Sequence, residues 1–221
     1  MEKKEKQADV ARQRSNVYGL LATVFGHEVS SELLQQIKDL WFLGVLSNMG
    51  LELENDFFEK PAEELIEDLA VEYAGLFLGP GEHISPHESV HHQRKDNQSG
   101  QLWGKSTVEV KNFIESAGLD YKEAYTGLPD HISVELEFMQ QVTLREEQAL
   151  SEDDQEGVLY CLKMEKKFIE EHLSRWVPAF CEKIISRAEL PFYRGMAALT
   201  KSFITFEKEY INTSDRFAKV S

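Results

Sequence analysis

The apolar positions of this chain recur three and four residues apart, and nowhere do they alternate steadily as they would along a half-buried strand. Val17, Leu20, Leu21, Val24 and Phe25 form one stripe, which predicts a first helix over about 8–25 with Gly26 as its stop. Ser30 is a good N-cap for a second helix over 31–43, striped by Leu33, Leu34, Ile37, Leu40 and Trp41. Residues 44–58 give no clear element. Pro61 opens a third helix whose face carries Leu65, Ile66, Leu69, Tyr73, Leu76 and Phe77, ending at Gly79-Pro80 because proline disfavours helical backbone in the residue before it. Further helices are expected over 102–117, stopped by Gly118, and over 131–150, capped by Asp130. The second carries two apolar rows, Ile132/Leu136/Met139 and Val134/Phe138/Val142, the mark of a deeply buried helix. Ser151 with Asp154 resembles a capping box before a helix bearing Val158, Leu159, Leu162, Ile169, Leu173 and Trp176, with Pro178 permitting a kink. Pro191 opens the last helix, with Phe192, Met196, Leu199, Phe203 and Ile204. The sum is an all-α chain, a bundle of roughly eight to ten helices, without internal repeat or low-complexity segment.

Two irregular stretches interrupt this pattern. Residues 79–100 are polar and rich in His, Gly and Ser, and a loop of about twenty residues is long for a compact domain unless it is functional or disordered. Residues 119–129 form the second.

Charge changes the picture next. In 221 residues, 39 Asp and Glu oppose 24 Lys and Arg, a formal balance of −15. That sign speaks against nucleic acid and anionic membrane and favours cationic partners. Nine acidic residues fall between Glu52 and Glu72. The two cysteines, Cys161 and Cys181, lack CxxC spacing and read as idle thiols of a reducing compartment. No apolar run is long enough to span a bilayer. Arg12 and Arg14 before VYGLLATVF superficially resemble a signal peptide, but Glu2, Glu5 and Asp9 mix the charge and no small-x-small cleavage site follows. The reading is a cytoplasmic protein with an amphipathic first helix and no stable membrane insertion.

Two constellations carry candidate chemistry. His87-Glu88-Ser89-Val90-His91 spells HExxH, which on a helix places two histidines on one face to share zinc, with Glu polarising a bound water. Pro86 directly before His87 leaves these residues at best a helix's first turn, and Arg94 stands where the extended metzincin motif needs Gly. Leu128-Pro129-Asp130-His131 is the second; Asp130 reads as an N-cap, and His131 and Glu135 share a helix face. No nucleophile motif, phosphate loop or dinucleotide fingerprint accompanies either.

Taken in order, Tyr73-Ala74-Gly75-Leu76-Phe77-Leu78-Gly79-Pro80, then Ser85-Pro86-His87-Glu88-Ser89-Val90, then Pro129-Asp130-His131 with Glu135-Leu136, then His172-Leu173-Ser174-Arg175-Trp176 and Phe192-Tyr193 resemble the motifs of the TorD-type redox-enzyme maturation chaperones, the TorD, DmsD and NarJ group. Tyr18, Leu20, Leu21 and Phe25 resemble that family's first helix. The chain departs from the family where His87 and His91 stand in place of aromatic residues, and that departure creates HExxH. The resemblance implies a single all-helical domain with lobes at about 1–118 and 130–221 joined by a hinge at 119–129. It implies a non-enzymatic cytoplasmic chaperone, without cofactor or metal of its own. Such a chaperone binds the twin-arginine signal peptide and apo form of a molybdopterin oxidoreductase of the DMSO- or TMAO-reductase type, and assists cofactor insertion before export. It leaves monomer and domain-swapped homodimer both open. On this reading Tyr73, Leu76 and Phe77 offer apolar contact to the peptide. Gly79, Pro80, Pro86, His87 and Ser89 shape the loop. Asp130 and Glu135 meet the arginines, with His131 tuning the site near neutral pH. The alternatives are a zinc hydrolase centred on 87–91 and a helical interaction module without a peptide groove.

Overall fold

A computed structural model describes residues 2–38, 59–79, 81–91, 101–121 and 125–213. The regular elements among the described residues are helices: α1 Glu2–Gly26, α2 Ser31–Lys38, α3 Ala62–Tyr73, α4 Glu88–His91, α5 Lys105–Ser116, α6 Ile132–Ser151, α7 Gln155–Phe168, α8 Ser174–Arg187 and α9 Pro191–Asn212. Two single turns of π-helix, Ala74–Leu78 and Ile169–Leu173, extend α3 and join α7 to α8. Among the described residues the one extended pairing is an isolated antiparallel bridge between His87 and His131.

Several helix ends differ from the reading of the sequence, each for a local reason. Helix α1 begins at Glu2, ahead of its expected start at about residue 8, because EKKEKQ is built of good helix formers that leave no apolar period to read. Ser30 caps α2 as expected, its hydroxyl accepting from Leu33 N–H at 3.2 Å, and residues 39–43 lie outside the described part. Helix α5 starts at Lys105 instead of Leu102, after a turn in which Trp103 takes a left-handed φ of 64°. It ends as expected: Gly118, with φ +67°, supplies the left-handed residue that releases Leu119 N–H back to Ile114 C=O. Ser151 closes α6 and is not a cap. Asp154 itself caps α7, its Oδ1 accepting from Gly157 N–H at 3.0 Å. Pro178 lies inside α8, one turn after the π-helical turn 169–173.

Helix α1 packs most extensively along α6, and α8 along α9. The main apolar core runs through all of these helices. Tyr18 meets Phe203 edge-on at 4.8 Å, Phe138 meets Phe168 at 4.5 Å, and Phe25, Phe77, Trp176, Phe180 and Tyr193 fill the centre. Burial of such a side chain stabilises by about 1.5–3 kcal/mol. The core cluster draws residues from before position 118 and from after position 131.

One charged group sits inside this packing. Arg14 of α1 donates to Glu207 of α9 at 2.8 Å, to Glu146 of α6 at 2.8 Å and to Glu165 of α7, and the Tyr18 hydroxyl adds a further bond to Glu207 at 2.9 Å. All five side chains are buried. A guanidinium with five donors can serve three carboxylates at once, so Arg14 ties four helices together.

Candidate functional site

The residues picked out by sequence converge where the stretch 81–91 lies against the start of α6. After α3, the chain continues through the π-helical turn to Gly79, whose extended backbone (φ −63°, ψ 152°) turns it away. Ile84 N–H then returns to Leu76 C=O at 2.7 Å. From Pro86 onward the loop is bolted to α6. Ile132 N–H donates to Pro86 C=O at 2.8 Å, Glu88 N–H to Asp130 C=O at 2.9 Å, and Ser89 N–H to the Asp130 carboxylate at 2.9 Å. The rings of His87 and His131 meet edge-on at 5.0 Å. Two motifs 41 residues apart in sequence are thus one structural unit.

Asp130 does not cap α6, as its position suggested. It caps the short α4, and His131 caps α6, its Nδ1 accepting from Ser133 N–H at 3.2 Å. That bond needs a neutral imidazole. Burial, with help from the His87 ring, accordingly pushes the His131 pKa down to about 4, against the pull of Asp130. Burial lowers His87 as well.

Beneath the loop lies a buried acidic cluster. Glu88, Asp130 and Glu135 are all sealed from solvent. His172, from the second π-helical turn, donates to Glu88 at 2.9 Å, and the Trp176 indole N–H donates to Glu135 at 3.0 Å. Burial, and then the neighbouring Glu88 carboxylate, hold the Glu135 carboxyl well above the usual carboxylate range. The sequence reading gave His172 only as part of a family motif and Trp176 as part of that motif and of an apolar stripe. Their i, i+4 spacing was the signal that both face one side of the helix, here the one turned to Glu88 and Glu135.

The fold places three groups of the expected residues as follows. Tyr73, Leu76 and Phe77 are core residues: the Tyr73 hydroxyl donates to Phe25 C=O at 3.1 Å, and Phe77 packs among Phe25, Phe180 and Tyr193, so neither ring is offered to a ligand. Asp130 and Glu135 are fully buried, so a client arginine reaches them only if the loop is displaced. The HExxH side chains diverge. His87 faces His131, Glu88 bonds His172, and His91 packs against Trp176 at 5.2 Å while bonding Ser85 C=O at 2.7 Å. Three side chains committed to three different partners do not present a shared coordination point. Gly79 has extended backbone, Pro86 C=O accepts from Ile132 N–H, Ser89 N–H donates to Asp130, and Pro80 lies outside the described residues.

With this geometry in hand, comparison with known proteins is specific. The family described as nitrate reductase delta subunit matches residues 31–182. The chaperone protein TorD of Photobacterium profundum is 24% identical over 210 residues, covering 90% of this chain and 94% of that one. The chaperone protein TorD of Shewanella loihica is 26% identical over 214 residues, covering 92% and 95%. A solved structure described provisionally as a redox enzyme maturation protein of Archaeoglobus fulgidus is 19% identical and superimposes with a TM-score of 0.49 over 90% of this chain and 94% of that one. The chain belongs to the nitrate reductase delta subunit family, the group of TorD-type maturation chaperones, and is a chaperone and not an enzyme. No helix among the described residues is long and apolar enough to cross a membrane.

Proposed function

We propose that this protein is a cytoplasmic chaperone of molybdoenzyme maturation that binds the twin-arginine signal peptide of a molybdopterin oxidoreductase and holds the apoenzyme until its cofactor is in place. The observation that carries the reading is the union of the Pro86–Val90 and Asp130–His131 motifs into one bolted unit, in a chain whose relatives are named chaperones. The acidic balance of −15 complements the basic start of such a signal, and an apolar contact would complement its middle.

The test is calorimetric titration with one signal peptide in Arg-Arg and Lys-Lys versions. Binding to the Arg-Arg form is expected, weakened by salt in its ionic part only, because apolar contact is not screened. A protein that binds neither version is not a signal-peptide chaperone.

A further inference from the structure

Residues 85–91 are held in place differently from the helices around them. None of the side chains that make up the apolar core comes from this stretch, whereas Ile84 just before it does. Its attachments are polar: Pro86 C=O, Glu88 N–H and Ser89 N–H bond to the start of α6, and the Glu88 carboxylate accepts from His172 at 2.9 Å. Its ring contacts are those of His87 with His131 and of His91 with Trp176 and Phe180. A segment that buries few apolar groups opens locally at less cost than the whole chain unfolds.

The underside of this stretch is where like charges meet. Glu88 comes from the stretch itself, Asp130 from the residue pair before α6 and Glu135 from the first turn of α6, and all three are buried. The other titratable groups around them are His87 of the stretch, His131 beside Asp130, and His172 of the π-helical turn, with Lys183 of α8 at 3.5 Å from His91. Burial, then the charge of Glu88, then Asp130 and a hydrogen bond to Glu88 favour a protonated Glu135, and the Trp176 N–H opposes them. The closed arrangement also leaves polar atoms unsatisfied. Ser89 Oγ, Asp130 Oδ1 and Glu135 Oε1 are shut away from solvent without a hydrogen-bond partner among the described residues, and each forfeits a bond that water would supply.

We propose that residues 85–91 form a lid latched by one proton: while Glu135 holds it the lid lies closed on α6, and when Glu135 is charged, Glu88 is repelled and the lid lifts into water. The device belongs to the chain alone and stands or falls apart from the signal-peptide reading. Its direction follows from linkage. Glu135 is raised in the closed form and ordinary in the open one, so opening releases a proton and becomes easier as pH climbs above the ordinary carboxyl range towards the closed-form value. His87 and His131 act in the opposite sense. Burial lowers both in the closed form, so opening takes up protons as pH falls below 6.5. The lid is thus loosened from the acid side by its histidines and from the basic side by its carboxyl pair.

Amide hydrogen exchange tests it, corrected for the intrinsic pH dependence of exchange and read at the three donors that fasten the lid, Glu88, Ser89 and Ile132 N–H. Wild type is compared with Glu135→Gln, whose amide keeps an acceptor for the Trp176 N–H and offers Glu88 a donor, as the protonated carboxyl does. The histidines are the same in both proteins, so their part cancels in the ratio. Protection at the three amides, wild type relative to Glu135→Gln, is expected to fall several-fold from about pH 5 to pH 7. Core amides of α9, at Phe203 and Ile204, are expected to exchange at least about tenfold more slowly throughout, which separates lid opening from unfolding. Glu88→Gln gives a second reading, since it removes the charge that faces Glu135, and should flatten the pH dependence as well. A ratio that does not change with pH, a Glu88→Gln profile as steep as that of wild type, or lid amides as protected as Phe203 and Ile204 would each overturn the latch.

Discussion

Two buried clusters of carboxylates lie among the described residues, and they are built on opposite principles. Around Arg14, the three carboxylates Glu146, Glu165 and Glu207 converge on one guanidinium drawn from a fourth helix. Around His172, the three carboxylates Glu88, Asp130 and Glu135 are met by an imidazole, an indole and a backbone N–H. In the first, opposite charge offsets desolvation, and the cluster acts as a tie between helices. In the second, no guanidinium enters, and burial holds the Glu135 carboxyl well above the usual carboxylate range. The difference follows position: the first lies deep between four long helices, the second directly under the loop that the family motifs build. One is a fixed structural joint, while the other is sensitive to protons at the edge of the candidate site.

The comparison breaks most visibly at Arg14. Arg14→Met leaves three buried carboxylates without their cation, and unfolding free energy measured with urea is expected to fall by about 3–5 kcal/mol. A loss below about 1 kcal/mol would mean that the cluster is no tie at all.

The second cluster should respond to pH through its neighbour His131. The folded pKa of about 4 lies below the ordinary value of 6.5, so below pH 6.5 the unfolded chain takes up a proton that the folded chain refuses. Stability therefore declines as pH drops from 6.5 towards 4, by roughly 3 kcal/mol from this group. His131→Asn keeps a capping side chain without titrating. The wild type minus variant difference in urea midpoint should shrink across that window, and a constant difference would remove His131 from the account.

The smallest effect has the opposite sign. Glu135 is raised, so its cost is absent below the ordinary carboxyl range and grows as pH rises towards its folded value. Glu135→Gln keeps an acceptor for Trp176 and removes the charge. At pH 7 thermal denaturation should show it equal to wild type or more stable by up to about 1 kcal/mol, with the gain vanishing on acidification. Clear destabilisation at pH 7 would place a charge-assisted bond at Glu135 and make the two clusters alike.

The helical class, the deep burial of 132–142 and the stop at Gly118 were legible because a 3.6-residue apolar period and a left-handed glycine are local properties. The importance of 72–91 and 129–131 was legible as motif order. The roles inside those motifs were not. Asp130 stands before a helix and reads as its cap, yet it caps α4, 41 residues earlier, and only the packed chain brings Ser89 N–H to it. Tyr73 and Phe77 read equally as binding or core residues until Phe25, Phe180 and Tyr193 are seen around them.

What the sequence by itself determined is the set of helices, their apolar faces and the family, since each depends on residues near one another in the chain or on motifs in order. Tertiary structure alone decided how far each carboxylate is buried. Glu135 and Glu72 are chemically the same side chain, each on an apolar-striped helix. One is closed over by the loop and Trp176, and the other faces a groove lined from α3, the loop and the segment after α8. Burial depends on what the distant parts of the chain place above a residue, and no local pattern carries that information.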